Sequence, residues 1–285
     1  MTNGDPQYEV SKALFDSAGE KLLVGPARTF NSIWRLSTGW IDMLDEKLYL
    51  IQQQSVERFK IKLKKKISEI PQENQQEPKL SLIAPALEST KYYIEEEELR
   101  DLFVNLISKS MDDRYNDDVN HAFVEIIKQL SPIDAYVLKK INTRTIPVAR
   151  YEMPLTEGSI TLNDYYIIDD IYTEKQTSIS LTNLNRLGLI NMPQGYSLTN
   201  ESLYDQFSNN ETYTYYLNNN PISKLKTRVI IEKIKFNGDI DATLKSLNVH
   251  ESDIREFHHY KGIEIDKSHT KLNVFGTSFY NVCVT

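Results

Sequence analysis

The sharpest enzymatic candidate in the chain is Arg114 followed, after six residues, by His121. A second group, Ser178, Ser180, Thr182, Asn183, Asn185 and Arg186, lies in a segment with helical spacing and offers polar tips that a nucleic-acid groove would accept. Only Arg186 among them is basic, whereas recognition helices hold phosphates with flanking Lys or Arg, so a surface for protein contacts is the plainer reading. A third group, Arg58, Lys60, Lys62, Lys64, Lys65 and Lys66, surrounds Ile61, Leu63 and Ile67. Near a helix C-terminus these cations complement the macrodipole and line a solvated face. An RNA backbone or an anionic membrane surface is the functional alternative for them.

The spacing of Arg114 and His121 resembles the R-x(4-6)-H pattern of HEPN ribonucleases. That resemblance implies an arginine that steadies phosphate charge and a histidine that assists proton transfer during RNA cleavage, contributed from facing subunits. Tyr115 to Asn120 between them reads as a loop, and its Asp117 and Asp118 would repel phosphate. The pattern also arises by chance, so a structural role joining two helices is preferred.

Metal chemistry finds little to work with. His258 and His259 are adjacent, so their side chains diverge, and with His250 and His269 they make a poor zinc site. Cys283 is the only cysteine, which removes internal disulfides and cysteine-rich zinc sites. Asp112, Asp113, Asp117 and Asp118 lack the glycine and the closing glutamate of a calcium loop. Glu95 to Glu98 read as a helix start, where acid complements the macrodipole, in preference to a metal cluster. No phosphate-cradling glycine loop, dinucleotide fingerprint, nucleophile elbow or HExxH motif occurs. The sequence therefore calls for no metal and no cofactor.

At 285 residues and 33.1 kDa, two domains, or one with a large elaboration, are expected. Hydrophobic residues at 40% and charged residues at 26% match an ordinary globular protein and exclude global disorder. A formal charge of -7 argues against a general nucleic-acid coat, although a local basic patch is compatible with it. Met1 to Val10 holds Asp5 and Glu9 and lacks both a basic leader and an apolar run, so it does not read as a secretory signal. No stretch approaches the roughly 18 apolar residues of a membrane-spanning helix. With the single cysteine, these features predict a cytoplasmic protein.

The elements that must position these side chains are mostly helices. Leu44, Leu48, Ile51, Phe59, Leu63, Ile67 and Ile70 keep spacings of three or four, or sums of these, and predict one long helix over about 43–70, ended by Pro71. A polar connector, Pro71 to Pro78, leads to a second helix whose face would be Leu80, Ile83, Leu87 and Tyr92, with Pro85 kinking it or opening its main part. A third buries Leu99, Phe103, Leu106, Ile107 and Ser110. After the polar loop Asp112 to Asn120, Phe123, Ile126, Ile127 and Leu130 repeat the pattern. Ser131, Pro132 and Asp134 then form an N-cap, N1 and N3 set for a helix over Ala135 to Ile141. Tyr8 to Met43 is expected to be helical too.

Beyond Pro147, β-branched, aromatic, Asn and Thr residues become common. Thr177 to Leu187 reads as a capped helix, Gly188 as its stop, and Leu189 to Met192 as a strand. Lys271 to Phe275 reads as another strand, turning at Gly276 into a final segment, Thr277 to Val284. A helix, Leu-Gly-Leu-Ile and then strands resemble a winged-helix domain near its recognition helix. The stretch Pro193 to Thr270, with the Asn- and Tyr-rich Tyr196 to Asn220, reads as a partly flexible surface insertion.

Three pieces between Ile83 and Ser131 stand in order: Pro85-Ala86-Leu87-Glu88, then Glu97-Glu98-Leu99-Arg100 leading to Ser110-Met111-Asp112, then HAFVEIIKQLS from His121 to Ser131. They resemble the core signature of the Abi-alpha (abortive infection alpha) family, and Leu184-Asn185-Arg186-Leu187-Gly188-Leu189-Ile190 resembles that family's C-terminal part. The resemblance implies a bacterial setting in phage defence. The expected architecture is mainly α: a helical bundle over residues 1–145, then an α+β winged-helix-like domain over 146–285 carrying an insertion at about 193–270. The expected work is non-enzymatic interaction with a phage or host protein. Nucleic acid, a peripheral membrane surface and a second copy of the chain are the alternative partners. A HEPN-like ribonuclease using Arg114 and His121, or a winged-helix DNA-binding regulator, is the alternative function.

Overall fold

Val56, Phe59, Leu63, Ile67 and Ile70 recur every three or four residues and all five are buried, the first four along helix α1, Glu46–Ser68, and Ile70 just beyond its end. A computed structural model describes residues 46–142, 144–249, 253, 256 and 259–285. The expected helix in Tyr8 to Met43 lies outside them. The chain divides into two compact units, one holding residues up to Lys139 together with Val274–Thr285, the other Lys140–Asn273. Among the described residues the fold is mainly helical, with one four-stranded antiparallel sheet.

In the first unit, helix α2 spans Leu80–Tyr93 and keeps Pro85 inside it. Ser89 Oγ donates to the Pro85 carbonyl and Thr90 Oγ1 to that of Ala86, each at 2.7 Å. The buried residues of α2 are Leu82, Ile83, Ala86, Leu87, Ser89 and Thr90, with Ile94 buried just past its end. Leu80 and Tyr92, expected on the buried face, are instead 59% and 72% exposed, because small Ala86 and Thr90 keep its helical phase. Helix α3, Glu97–Lys109, is buried from Leu99 through Ser108 apart from the half-buried Asp101, and the buried residues include the polar Arg100, Asn105 and Ser108. Helix α4, Ala122–Ile127, and α5, Pro132–Ile141, follow, the latter opened by the expected set: Ser131 N–H donates to Asp134 Oδ2 at 2.8 Å, and Asp134 N–H donates back to Ser131 Oγ at 3.3 Å.

The last residues return to this unit. Lys271 to Phe275 is not one strand, since Asn273 ends the strand and Val274–Phe279 forms a further helix followed by a π-helical turn, Tyr280–Val284. Phe279 packs edge-on against Phe123 with centroids 5.1 Å apart. Asn105 Nδ2 donates to the Cys283 carbonyl at 2.9 Å, and Lys109 Nζ to Asn281 O at 2.5 Å and Thr285 Oγ1 at 2.8 Å. The bonds to Cys283 O and Asn281 O satisfy carbonyls that a helix terminus leaves unpaired.

In the second unit, β1 (Ile146–Pro154), β2 (Ser159–Thr161), β3 (Ile190–Asn191) and β4 (Glu264–Leu272) lie in the order β2-β1-β4-β3. Ile146 pairs with Thr270 and Tyr151 with Ile265 across β1 and β4. Helix α6, Glu174–Arg186, opens with a capping box between Thr173 and Gln176 and stops at Gly188, whose φ of 70° suits glycine. The insertion is not a loose surface loop. It folds into α7 (Asp205–Ser208), α8 (Glu211–Asn219), α9 (Pro221–Lys235) and α10 (Ile240–Leu247) and supplies Tyr204 and Phe207 to a core shared with Ala149, Tyr151, Tyr166 and Ile263. Its asparagines act as caps: Asn210 Oδ1 accepts from Tyr213 N–H at 2.8 Å, and Asn220 Oδ1 from Ser223 N–H at 2.9 Å.

Candidate functional site

The loop that carries Arg114 begins as α3 ends, and polar side chains from the Gln-rich connector fasten it. Gln76 N–H donates to Met111 O at 2.9 Å, Gln76 Nε2 to Ser110 O at 3.2 Å, and Asn74 Nδ2 to Asp113 Oδ1 at 2.9 Å. Asp112 is buried and accepts from the backbone N–H of Arg114 and from its guanidinium, Nε to Oδ1 at 2.8 Å and Nη2 to Oδ2 at 2.5 Å. The Arg114 guanidinium holds the Asp112 carboxyl below the ordinary carboxylate range, and Asp112 in turn raises Arg114. His121 is exposed just ahead of α4, with Nε2 2.9 Å from Ser81 Oγ. Among the described residues, no hydrogen bond or ion pair joins Arg114 to His121. The Arg114 guanidinium meets the Asp112 carboxylate and His121 meets the Ser81 hydroxyl, so each is engaged by a different side chain.

The basic run on α1 is divided by its partners. Lys62 donates to Asp101 at 2.8 Å and to Glu97 at 3.2 Å, bridging α1 to α3. Lys60 pairs with Glu57 within the helix, and Lys66 reaches the Thr285 carbonyl at 2.9 Å. Arg58, Lys64 and Lys65 are exposed. The run therefore works partly as structure, through Lys60, Lys62 and Lys66.

On α6, Ser178 and Ser180 are buried, whereas Thr182, Asn185 and Arg186 are exposed and Asn183 is half-buried. The six do not form one outward face, since successive helical residues point about 100° apart. Arg186 is engaged locally, with Nη2 2.7 Å from Asn183 Oδ1. Of the histidines, His269 Nδ1 lies 3.0 Å from Tyr196 O, and His250 and His258 fall outside the described residues. Among the described residues no group of three or more His, Cys, Asp or Glu is placed to hold a metal ion, and no helix is long and apolar enough to cross a membrane.

Sequence reasoning passed over the aromatic network of the second unit. Tyr151 OH lies 2.5 Å from Tyr166 OH and donates to Phe207 O at 2.7 Å, with Tyr213 edge-on and Tyr216 tilted against the Tyr151 ring. Burial raises both hydroxyls above the ordinary tyrosine value, that of Tyr166 far above it. Beside it, an open polar depression of about 670 Å³ is lined by Asn209, Asn210, Glu211, Thr214, Tyr215 and Asn218. The available signal was the three-residue spacing of Tyr204 to Phe207 and of Tyr213 to Tyr216, a helical period inside the asparagine-rich stretch.

These features define a two-unit, mainly helical protein whose most suggestive polar side chains hold its own loops in place. The family model for abortive infection alpha matches residues 51–283, and the chain belongs to that family. The matched range contains Ile83 to Ser131 and Leu184 to Ile190. No curated protein and no solved structure matches the chain.

Proposed function

We propose that the chain acts in abortive infection, as its family name suggests, by binding a protein component of the phage or the infected cell without catalysing a reaction. The observation that carries this reading is the engagement of Arg114 by buried Asp112 and of His121 by Ser81, on a loop fastened by Asn74 and Gln76. A ribonuclease pair would need both side chains free to meet a phosphate. The α6–β3–β4 succession supports a winged-helix-like reading of the second unit, and exposed Thr182, Asn185 and Arg186 offer a partner a largely uncharged surface. A single cation there favours protein over DNA as that partner.

The test is a phage challenge of bacterial cells expressing the chain, paired with incubation of the purified protein with RNA. The His121→Ala variant touches an exposed side chain and should leave both plaque reduction and RNA integrity as in the parent. Loss of plaque reduction by a stably folded His121→Ala protein, together with RNA cleavage by the parent, would overturn this reading in favour of the ribonuclease.

A further inference from the structure

Helix α9 has the sequence PISKLKTRVIIEKIK, five basic side chains against one carboxylate, in a chain whose formal charge is -7. At about 100° per residue, Ile222, Leu225, Val229 and Glu232 fall on one side. Ile222 is buried there, and the other three are half-buried. The opposite side carries Thr227, Ile230 and Ile231, with the two isoleucines 61% and 49% exposed. Lys224, Arg228 and Lys235 line one edge of this outward strip, and Lys226 and Lys233 the other. Lys226 also lies over the Tyr260 ring at 4.8 Å, and Lys235 pairs with Glu232 at 2.5 Å.

We propose that this face of α9 is a docking surface for an anionic membrane, with Ile230 and Ile231 entering the headgroup region and the flanking cations meeting lipid phosphates. A single exposed isoleucine needs no explanation, but two adjacent ones between two cationic edges reproduce the cross-section of a helix lying in a lipid interface. Charge complementarity selects the occupant. Cationic edges gain from a surface of fixed negative charge, and the isoleucines gain only where that surface also offers hydrocarbon. A nucleic acid would use the cations and leave the isoleucines in water. The basic run on α1 is the weaker surface, because Lys62 is committed to Glu97 and Asp101, Lys66 to Thr285, and among the described side chains of that helix Ile61 is the one exposed large apolar residue. This inference does not depend on the defence role proposed above.

Co-sedimentation of the full chain with vesicles tests it. The protein should pellet with mixed phosphatidylglycerol and phosphatidylcholine vesicles, stay in solution with phosphatidylcholine alone, and be released by salt. Ile230→Ser/Ile231→Ser and, separately, Lys224→Glu/Arg228→Glu should each lower partitioning at least about tenfold. Both pairs are solvent-facing, so their thermal unfolding should match the parent. Arg58→Glu/Lys64→Glu/Lys65→Glu on α1 should leave partitioning unchanged. Equal binding to both vesicles, no binding, binding lost only by the α1 variant, or full binding by the isoleucine variant would each overturn the proposal. So would binding to RNA without binding to vesicles.

Discussion

Asp112 is buried, and everything around its carboxylate is a donor: the Arg114 N–H and two guanidinium nitrogens. Asp112→Ala leaves those donors without their acceptor and should cost about 1–3 kcal/mol of stability. The pH dependence follows from the lowered pKa. The folded value lies below the unfolded one of about 3.9, so the stabilisation is full above roughly pH 4 and vanishes as pH falls through the folded value. Urea unfolding should show a clear gap between parent and variant near neutrality that closes in strong acid. A gap that persists there would mean packing, not charge, makes the difference. The pairing of Arg114 with Asp112 was half legible: Asp112 stands two residues before it in the sequence. The Ser81 contact of His121 was not, because it joins residues forty apart.

Among the elements, those with a strong helical period were the most legible. Leu99, Phe103, Leu106, Ile107 and Ser110 were read as the stripe of α3, and all are buried. The same pattern missed Arg100, Asn105 and Ser108, since a stripe marks one covered face and says nothing of what covers the others. For α2, counting only large apolar residues placed Leu80 and Tyr92 inside, where Ala86 and Thr90 belong. In the second unit, asparagines taken as signs of a loose insertion turned out to cap helices that carry core tyrosines. The same chemistry that favours turns also favours N-caps, so composition could not separate the two. The stop of α6 was read correctly, and it makes a clean test. A Cβ at Gly188 would meet no atom within 4 Å, so Gly188→Ala bears only the left-handed backbone cost, about 1–2 kcal/mol. Chemical unfolding should show that loss, and a loss well beyond it would mean that α6 and β3 shift.

For the whole molecule, the informative feature is that the second unit is an insertion in the first. Its two ends are neighbours, since Ile146 pairs with Thr270 as β1 and β4 run side by side. Domains with adjacent ends tolerate being moved or removed. A chain that joins Lys139 directly to Val274 by a short glycine–serine linker should therefore unfold cooperatively with a helical circular dichroism signal. Removing residues 274–285 from the full chain should instead abolish that behaviour in the helical unit, because Asn105, Lys109 and Phe123 lose the groups they hold. If the truncated chain unfolds like the parent, the closing segment is dispensable. The same connectivity sets a clock during synthesis. At roughly 5–20 residues per second, on the order of ten seconds separates the making of α3 from the arrival of its closing segment. Through that interval a nascent helical unit has its partners' places open, and the danger of misassembly scales with how slowly the intervening stretch is translated, whatever the stability of the finished fold.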